Sequence, residues 1–219
     1  MADHKRKGDE NRMETSYRTI REYAEDEFVE RKSRFIGSVQ PCKTEEDALR
    51  FIEQKRKQYW DATHNVYAYI LRNGGLKRCS DDGEPQGTAG RPVLDVLEKE
   101  GLTDICVIAT RYFGGIMLGA GGLVRAYSHT SKIAVDAAEI LNLSVCYRYR
   151  MSFEYPLYGK ISYILPNYPL KVLDSDFGEL VRMEFLVRYD RREAFLKALT
   201  ELTNGQVVPE ALDSCFEDL

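Results

Sequence analysis

Two stretches of the chain carry residue types that could bind or transform a ligand. The first is acidic and runs from Asp81 to Pro92 as Asp-Asp-Gly-Glu-Pro-Gln-Gly-Thr-Ala-Gly-Arg-Pro. The second places five glycines within nine positions, residues 114–122, directly after Thr110-Arg111-Tyr112-Phe113. Glycine permits positive φ and close backbone approach, so such a density indicates a loop that something contacts closely. We predict that the two loops form one surface, and that this surface binds rather than catalyses.

The glycine loop has one feature of a phosphate-binding site, because backbone N–H groups at the start of a helix attract anions. It reads Gly-Gly-Ile-Met-Leu-Gly-Ala-Gly-Gly, and no Gly-Lys-Ser/Thr follows as a Walker A loop requires. It also departs from the dinucleotide-binding fingerprint. Anion binding and a tightly packed turn both stay open as interpretations. The glycines of this candidate site are Gly114, Gly115, Gly119, Gly121 and Gly122.

The carboxylates Asp81, Asp82 and Glu84 suggest a divalent metal ion or an acid–base pair. The spacing of an EF-hand loop is absent, however, and no further acidic ligand follows nearby. The favoured alternative is that these carboxylates accept backbone N–H groups and cap the helix at Pro92. No serine or cysteine has an identifiable nucleophile setting. The sequence therefore predicts no metal ion, no cofactor and no catalytic residue.

The other candidate binding residues are cationic or aromatic. Arg111 ends a strand, where functional side chains often emerge. Tyr112 and Phe113 beside it could stack on a base or pack against a partner. Each arginine alone is more typical of a surface ion pair, and a lone histidine is more typical of a hydrogen-bonded structural residue. The predicted surface is completed by Lys32, Arg34, His64 and Arg125.

Composition restricts the class of protein. The chain has 219 residues, 43% hydrophobic and 30% charged, with a formal net charge of −4. Neither half is basic, so a nucleic-acid site must be a local patch. Five scattered cysteines are typical of reduced thiols in a cytosolic protein. With no stretch long enough to span a membrane and no apolar signal-peptide core, we expect a cytoplasmic protein without membrane contact.

Periodicity divides the chain into two domains behind a charged tail, residues 1–14. Residues 15–141 carry early strands, a helix that Thr44 caps, a strand at 66–71 with a short partner at 76–79, a helix at 92–100, a buried strand at 105–109 and a helix from about 123 to 140. This pattern predicts a two-layer α/β arrangement. Residues 142–219 alternate as β-α-β-β-α-β, which is the ferredoxin-like pattern, with Asp176-Phe177-Gly178 as a hairpin turn and a last strand beginning at 206–208.

Three motifs in order resemble the IMPACT/YigZ family. They are Glu30–Ile36, Asp81–Pro92 and Thr110–Tyr127, and the resemblance spans about residues 17–140. The carboxy half is similar to the ferredoxin-like domain of bacterial members, which looks like domain V of elongation factor G. Eukaryotic members carry an amino-terminal RWD domain in its place, so the resemblance implies a bacterial-type member.

The resemblance implies a fold and a set of functions. The first domain would have the left-handed βαβ crossover of elongation factor G domain IV and of a ribosomal protein. By fold analogy, this implies a non-enzymatic binding protein with RNA, the ribosome or a translation-linked protein as its partner, and a role in the regulation of translation. The same fold also serves small-molecule kinases, so a phosphate-binding enzyme is an alternative. A protein-interaction module using the exposed face of Val145–Tyr155 is another.

Overall fold

The computed structural model describes residues 15–219 and divides into two compact units. Residues 17–141 form the amino-terminal unit, and residues 142–219 with Thr15 and Ser16 form the carboxy-terminal unit. The two-domain mixed α/β fold class is confirmed. The predicted tail, residues 1–14, lies outside the described residues. Across the described range, no helix is both long enough and apolar enough to cross a bilayer.

The amino-terminal unit is built on an antiparallel sheet in the order β2-β3-β6-β4-β5. A short 3-10 turn, Asn73–Gly75, joins the last two strands. Its helices and strands are β1 (Ser16–Ile20), β2 (Ala24–Glu30), β3 (Ser33–Pro41), α1 (Glu45–Gln58), β4 (His64–Leu71), β5 (Leu76–Ser80), α2 (Gly90–Glu100), β6 (Ile105–Tyr112) and α3 (Ala120–Ala137).

Helices cover both faces of this sheet. Phe51 of α1 packs with Cys106 and Ile108 of β6 on one face. The intervening residues Val107 and Ala109 point to the other face, where they join the core formed with α2 and α3. Alternation along a strand sends successive side chains to opposite faces, so the continuous apolar run of β6 is buried on both sides. The helix α1 thus adds a third layer to the two predicted.

Helix ends follow local chemistry. Thr44 caps α1 with a capping box to Asp47, as predicted. Gly101 ends α2 in the left-handed region with φ of 64°. The helix α2 begins two residues before Pro92. The helix α3 begins at Ala120 rather than near Leu123, so two glycines lie inside its first turn.

The carboxy-terminal unit has the ferredoxin-like order β10-β7-β9-β8, with every pair antiparallel. Its core is aromatic and apolar under α4 and α5, with Phe185 and Phe195 fully buried. The strand β8 includes Asp176 and Phe177, so the expected turn begins only at Gly178. The last strand begins four residues after Gln206. The elements are β7 (Ile140–Phe153), α4 (Tyr155–Ile164), a 3-10 turn (Leu165–Asn167), β8 (Leu170–Phe177), β9 (Val181–Arg188), α5 (Arg192–Thr203) and β10 (Glu210–Glu217).

Candidate functional site

The two predicted loops meet at a buried carboxylate. Glu84, from the acidic loop, accepts a hydrogen bond from Arg111 Nη1 at 2.6 Å and another from the Tyr127 hydroxyl at 2.8 Å. Arg111 ends β6, just before the glycine loop, and Tyr127 lies on α3, just after it. The three residues are 8%, 5% and 0% exposed. We call this group the Glu84 lock; it joins the acidic loop to both ends of the glycine loop.

Burial makes each polar group of the lock depend on its hydrogen-bond partner. A buried carboxylate is tolerated only when it is paired and hydrogen-bonded. Burial, and next the Glu84 charge, raises the pKa of the Tyr127 hydroxyl, which therefore stays a donor. The Arg111 guanidinium lies 5.5 Å from the Phe35 ring and 5.3 Å from the Phe113 ring. The lock therefore positions the two loops, and its charges are neutralised within it.

Asp81 accepts hydrogen bonds from backbone groups of its own loop and of the helix that follows it. Asp81 accepts hydrogen bonds from the N–H groups of Gly87, Ala89 and Gly90 at 2.8–3.1 Å. Burial alone would raise the pKa of Asp81, but these three donors lower it overall. The capping interpretation is therefore confirmed for Asp81, and the cap explains why α2 begins at Gly90.

Asp82 anchors the acidic loop to the start of β4. Its carboxylate accepts from the Asn65 N–H at 2.7 Å and from Arg56 at 2.6 Å. His64 Nδ1 lies 2.8 Å from the Asp82 carbonyl oxygen, and its Nε2 lies 3.8 Å from Glu84. His64 is therefore placed as a structural histidine between the acidic loop and the lock.

The glycine loop rests directly on the β2–β3 turn. Gly114 donates its N–H to Ser33 Oγ at 3.1 Å. A Cβ at this position would lie 2.0 Å from the carbonyl carbon of Lys32, so only glycine fits. Gly115 and Gly119 have φ values of 82° and 71°, in the region that favours glycine. The loop conformation thus depends on its glycine content.

Gly121 and Gly122, in the first turn of α3, differ in the space available for a side chain. A Cβ on Gly122 would lie 2.9 Å from Leu118 Cβ, whereas the nearest atom to a Cβ on Gly121 is Arg125 Nη1, at 3.7 Å. Gly122 therefore lets Leu118 fold back onto the first turn of α3. Gly121 has no such constraint.

Part of the predicted surface lies on the other face of the sheet. Arg34 and Tyr112 are cross-strand partners, one register position away from the Phe35–Arg111 pair, so their side chains point to the α1 side. Arg34 is paired with Glu27 at 2.5 Å. Tyr112 donates to Asp61 at 2.8 Å, and burial followed by this hydrogen bond raises its pKa. The fifteen predicted residues therefore do not form one continuous patch.

What stays exposed on the α3 side is a rim of cations and apolar side chains. We define the rim as Arg31, Lys32, Phe113, Met117 and Arg125. The side chains of Lys32 and Arg125 have no hydrogen-bond or ion-pair partner among residues 15–219, and that of Arg31 approaches only Glu30, at 3.9 Å. Phe113 is 47% exposed and Met117 is 84% exposed. Beside the rim, a cleft of about 280 Å³ opens between β2 and α3.

Sequence reasoning missed several contributors. Tyr127 is not among the predicted site residues, although a buried tyrosine hydroxyl requires a partner and so signals a nearby acceptor. Arg31 and Ser33 lie within the motif Glu30–Ile36 but are not among them either; Arg31 is in the β2–β3 turn with φ of 45°. The cleft residue His129 carries no signal in the one-dimensional pattern.

The fold and the site define a class: a two-domain α/β protein whose amino-terminal unit interlocks two loops over a sheet. The Impact N-terminal domain matches residues 31–135, and a domain of unknown function, DUF1949, matches residues 151–206. The chain is 41% identical to IMPACT family member YvyE of Bacillus subtilis, over 87% of this chain and 88% of that protein. It is 31% identical to IMPACT family member YigZ of Escherichia coli, over 81% and 88% of the two chains. The chain therefore belongs to the IMPACT family.

Further similarities extend over both units. An IMPACT family member of Thermus thermophilus, from the pol 5′ region, is 38% identical over 80% of this chain and 96% of that protein. A crystal structure described as that of a hypothetical protein is 28% identical, with a TM-score of 0.58, and covers 91% of this chain and 98% of its own. Full-length similarity of this kind supports the two-domain description.

Proposed function

We propose that the chain is a non-enzymatic, cytoplasmic RNA-binding protein that docks on RNA or the ribosome through its rim and takes part in regulating translation. The observation that carries this proposal is the separation of the motif charges into two sets. The lock and the Asp81 cap neutralise one set inside the unit. Arg31, Lys32 and Arg125 remain exposed, and so does Phe113, which precedes the glycine that rests on Lys32.

This combination of side chains matches the chemistry of single-stranded RNA. Cations that lack carboxylate partners can neutralise phosphates, and an exposed aromatic ring can stack on a base. The net charge of −4 argues against binding over the whole surface and in favour of a local patch. The link to translation rests on the resemblance to elongation factor G domains IV and V, which is a fold analogy.

Salt-dependent RNA binding tests the proposal. Fluorescence anisotropy of a labelled single-stranded RNA is measured between about 50 and 200 mM salt, over which phosphate contacts weaken strongly. We expect Lys32→Ala to weaken binding and to reduce the slope of log K against log salt by about 0.7, the value of one phosphate contact. Phe113→Ala should cost about 1–3 kcal/mol of binding free energy if a base stacks there.

The matched control is Lys99→Ala, which removes the same charge from an exposed position on α2. It should leave both affinity and salt slope unchanged. Cosedimentation with ribosomes, using the same variants, tests the link to translation. Equal binding by Lys32→Ala, Phe113→Ala and Lys99→Ala would contradict docking through the rim.

The buried position of Arg111 changes the choice of variant. From the sequence alone, Arg111→Ala is the natural test, because this residue ends a strand inside the most distinctive motif. Arg111 is only 5% exposed and is bonded to Glu84, so its removal tests folding. Exposed rim residues are needed to test binding.

A further inference from the structure

The cleft between β2 and α3 is a concave feature that the lock does not use. Its lining comes from β2 with its following turn and from the glycine loop with α3. At about 280 Å³ it lies just below the roughly 300–1,000 Å³ of typical small-molecule sites, so it has room for a small ligand. Its polar and aromatic lining consists of Phe28, Glu30, Arg31, Gly122, Arg125 and His129.

The charge of the lining favours an anion. Two guanidinium groups and an imidazole face one carboxylate, that of Glu30. The Arg125 side chain makes no ion pair or hydrogen bond with any residue from 15 to 219, and the nearest carboxylate to Arg31 is that of Glu30, at 3.9 Å. The planar fork of arginine matches phosphate oxygens in a bidentate manner. Two such groups on one cleft are therefore suited to a phosphate.

The backbone adds to this preference. Gly122, in the first turn of α3, lines the cleft, so the helix backbone forms part of its wall there. The N-cap residue, Gly119, offers no side-chain acceptor to the first N–H groups of the helix. Those groups carry the positive end of the helix dipole. They add to the positive charge of the Arg125 guanidinium, which α3 also carries.

The lining also includes two aromatic side chains, Phe28 and His129, which ring contacts hold in place. The Phe28 ring stacks on Phe35 at 5.2 Å, with 11° between the ring planes. His129 meets Phe28 edge-on at 4.6 Å. Aromatic side chains of this kind contact nucleobases. The Glu30 carboxylate can accept from an amino or hydroxyl group, and it repels a second phosphate.

We infer that this cleft binds a nucleoside monophosphate unit, with the phosphate against Arg31, Arg125 and the first turn of α3. The unit is either the 5′-phosphorylated end of an RNA or a free nucleotide, which present the same chemistry. The RNA source rests on the proposed function, whereas the free-nucleotide source does not.

The test uses the full chain and two pairs of probes. Anisotropy compares RNAs of one sequence with a 5′-phosphate or a 5′-hydroxyl, and thermal unfolding compares adenosine monophosphate with adenosine. We expect the phosphorylated RNA to bind about 10- to 100-fold more tightly, the range of a hydrogen bond to a charged group. Adenosine monophosphate should raise the melting temperature, and adenosine should not.

Arg125→Ala should abolish both phosphate effects, and the control Arg78→Ala, at an exposed position on β5, should preserve them. Arg125 is exposed, so the unliganded variant should melt at the wild-type temperature. Equal binding of the two RNAs, with no stabilisation by adenosine monophosphate, overturns the inference, and RNA binding as such would still support the proposed function. Stabilisation that Arg125→Ala removes, without any RNA binding, supports the cleft and contradicts the proposed function. Phosphate effects that survive in Arg125→Ala also overturn the inference.

Discussion

Each unit of the molecule contains a glutamate that receives hydrogen bonds from two side chains, and the two glutamates differ mainly in solvent exposure. Glu84 of the amino-terminal unit accepts from Arg111 and Tyr127, all buried. Glu184 of the carboxy-terminal unit accepts from Arg148 and Arg150, whose side chains are 40% and 50% exposed. Glu184 has the larger number of charged donors, because each arginine presents two N–H groups to it.

Contact geometry therefore does not rank these two sites by their contribution to stability. Breaking a buried ion pair strands a charge where water cannot solvate it, whereas an exposed ion pair is replaced by hydration. We infer that the Glu84 lock stabilises the acidic loop and the glycine loop, and that the ion pairs of Glu184 contribute little to the free energy of unfolding. Four substitutions test this ranking, in decreasing order of expected effect.

Glu84→Ala should give the largest effect. It leaves the Arg111 guanidinium buried without its carboxylate, which typically costs about 3–5 kcal/mol of unfolding free energy. Urea unfolding measures this directly. The double variant Glu84→Met/Arg111→Met removes both charges and should recover a large part of the loss. A loss below about 1 kcal/mol in the single variant would contradict the lock and fit a solvated pair.

Tyr127→Phe should give a smaller effect within the same lock. It removes one hydrogen bond to the Glu84 carboxylate but keeps the ring, which packs edge-on against Phe35 at 5.5 Å. Hydrogen bonds to charged groups contribute about 1.5–3 kcal/mol. Comparison with Glu84→Ala separates the contribution of the Arg111–Glu84 charge pair to the unfolding free energy from that of the Tyr127 hydroxyl. A loss as large as that of Glu84→Ala would mean that the Tyr127 hydroxyl, and not the Arg111–Glu84 charge pair, dominates the lock.

Asp81→Asn should be smaller again and should depend on pH. The carboxylate holds three backbone N–H groups, and loss of a helix cap costs about 0.5–2 kcal/mol. Because the folded pKa of Asp81 is lowered from 3.8, its stabilisation is present above about pH 3.8 and is lost as the pH falls through the folded value. The wild-type chain should therefore lose more stability than Asp81→Asn on acidification. If the unfolding free energies of the wild type and of Asp81→Asn fell equally on acidification, Asp81 would not act as a charged cap.

The local caps could be predicted from the sequence, whereas the contacts of the Glu84 lock could not. The Thr44 cap and the left-handed Gly101 were predictable because each depends on contacts within one turn of helix. The Asp81 cap was predictable as a type of interaction for the same reason. The Glu84–Arg111–Tyr127 contact was not, because sequence separations of 27 and 43 residues are closed only by tertiary packing. Similarly, strand alternation predicts that the side chains of Arg111 and Tyr112 point to opposite faces of the sheet. It does not predict which of these faces packs against α3, because that depends on the tertiary fold.

Glu184→Gln should give the smallest effect, and it tests the other half of the comparison. Hydrogen bonds from Arg150 and Arg148 lower the pKa of Glu184, so the charge interaction contributes above the ordinary value of 4.5 and fades as the pH falls below it. Exposed arginines lose hydration when they pair and regain it when the pair is broken, so the two costs nearly cancel. We expect the urea midpoint of Glu184→Gln at neutral pH to stay within experimental error of the wild type, and added salt to remove any residual difference. A loss comparable with that of Tyr127→Phe would show that paired bidentate geometry outweighs solvent exposure, and the ranking of the two sites by burial would then be wrong.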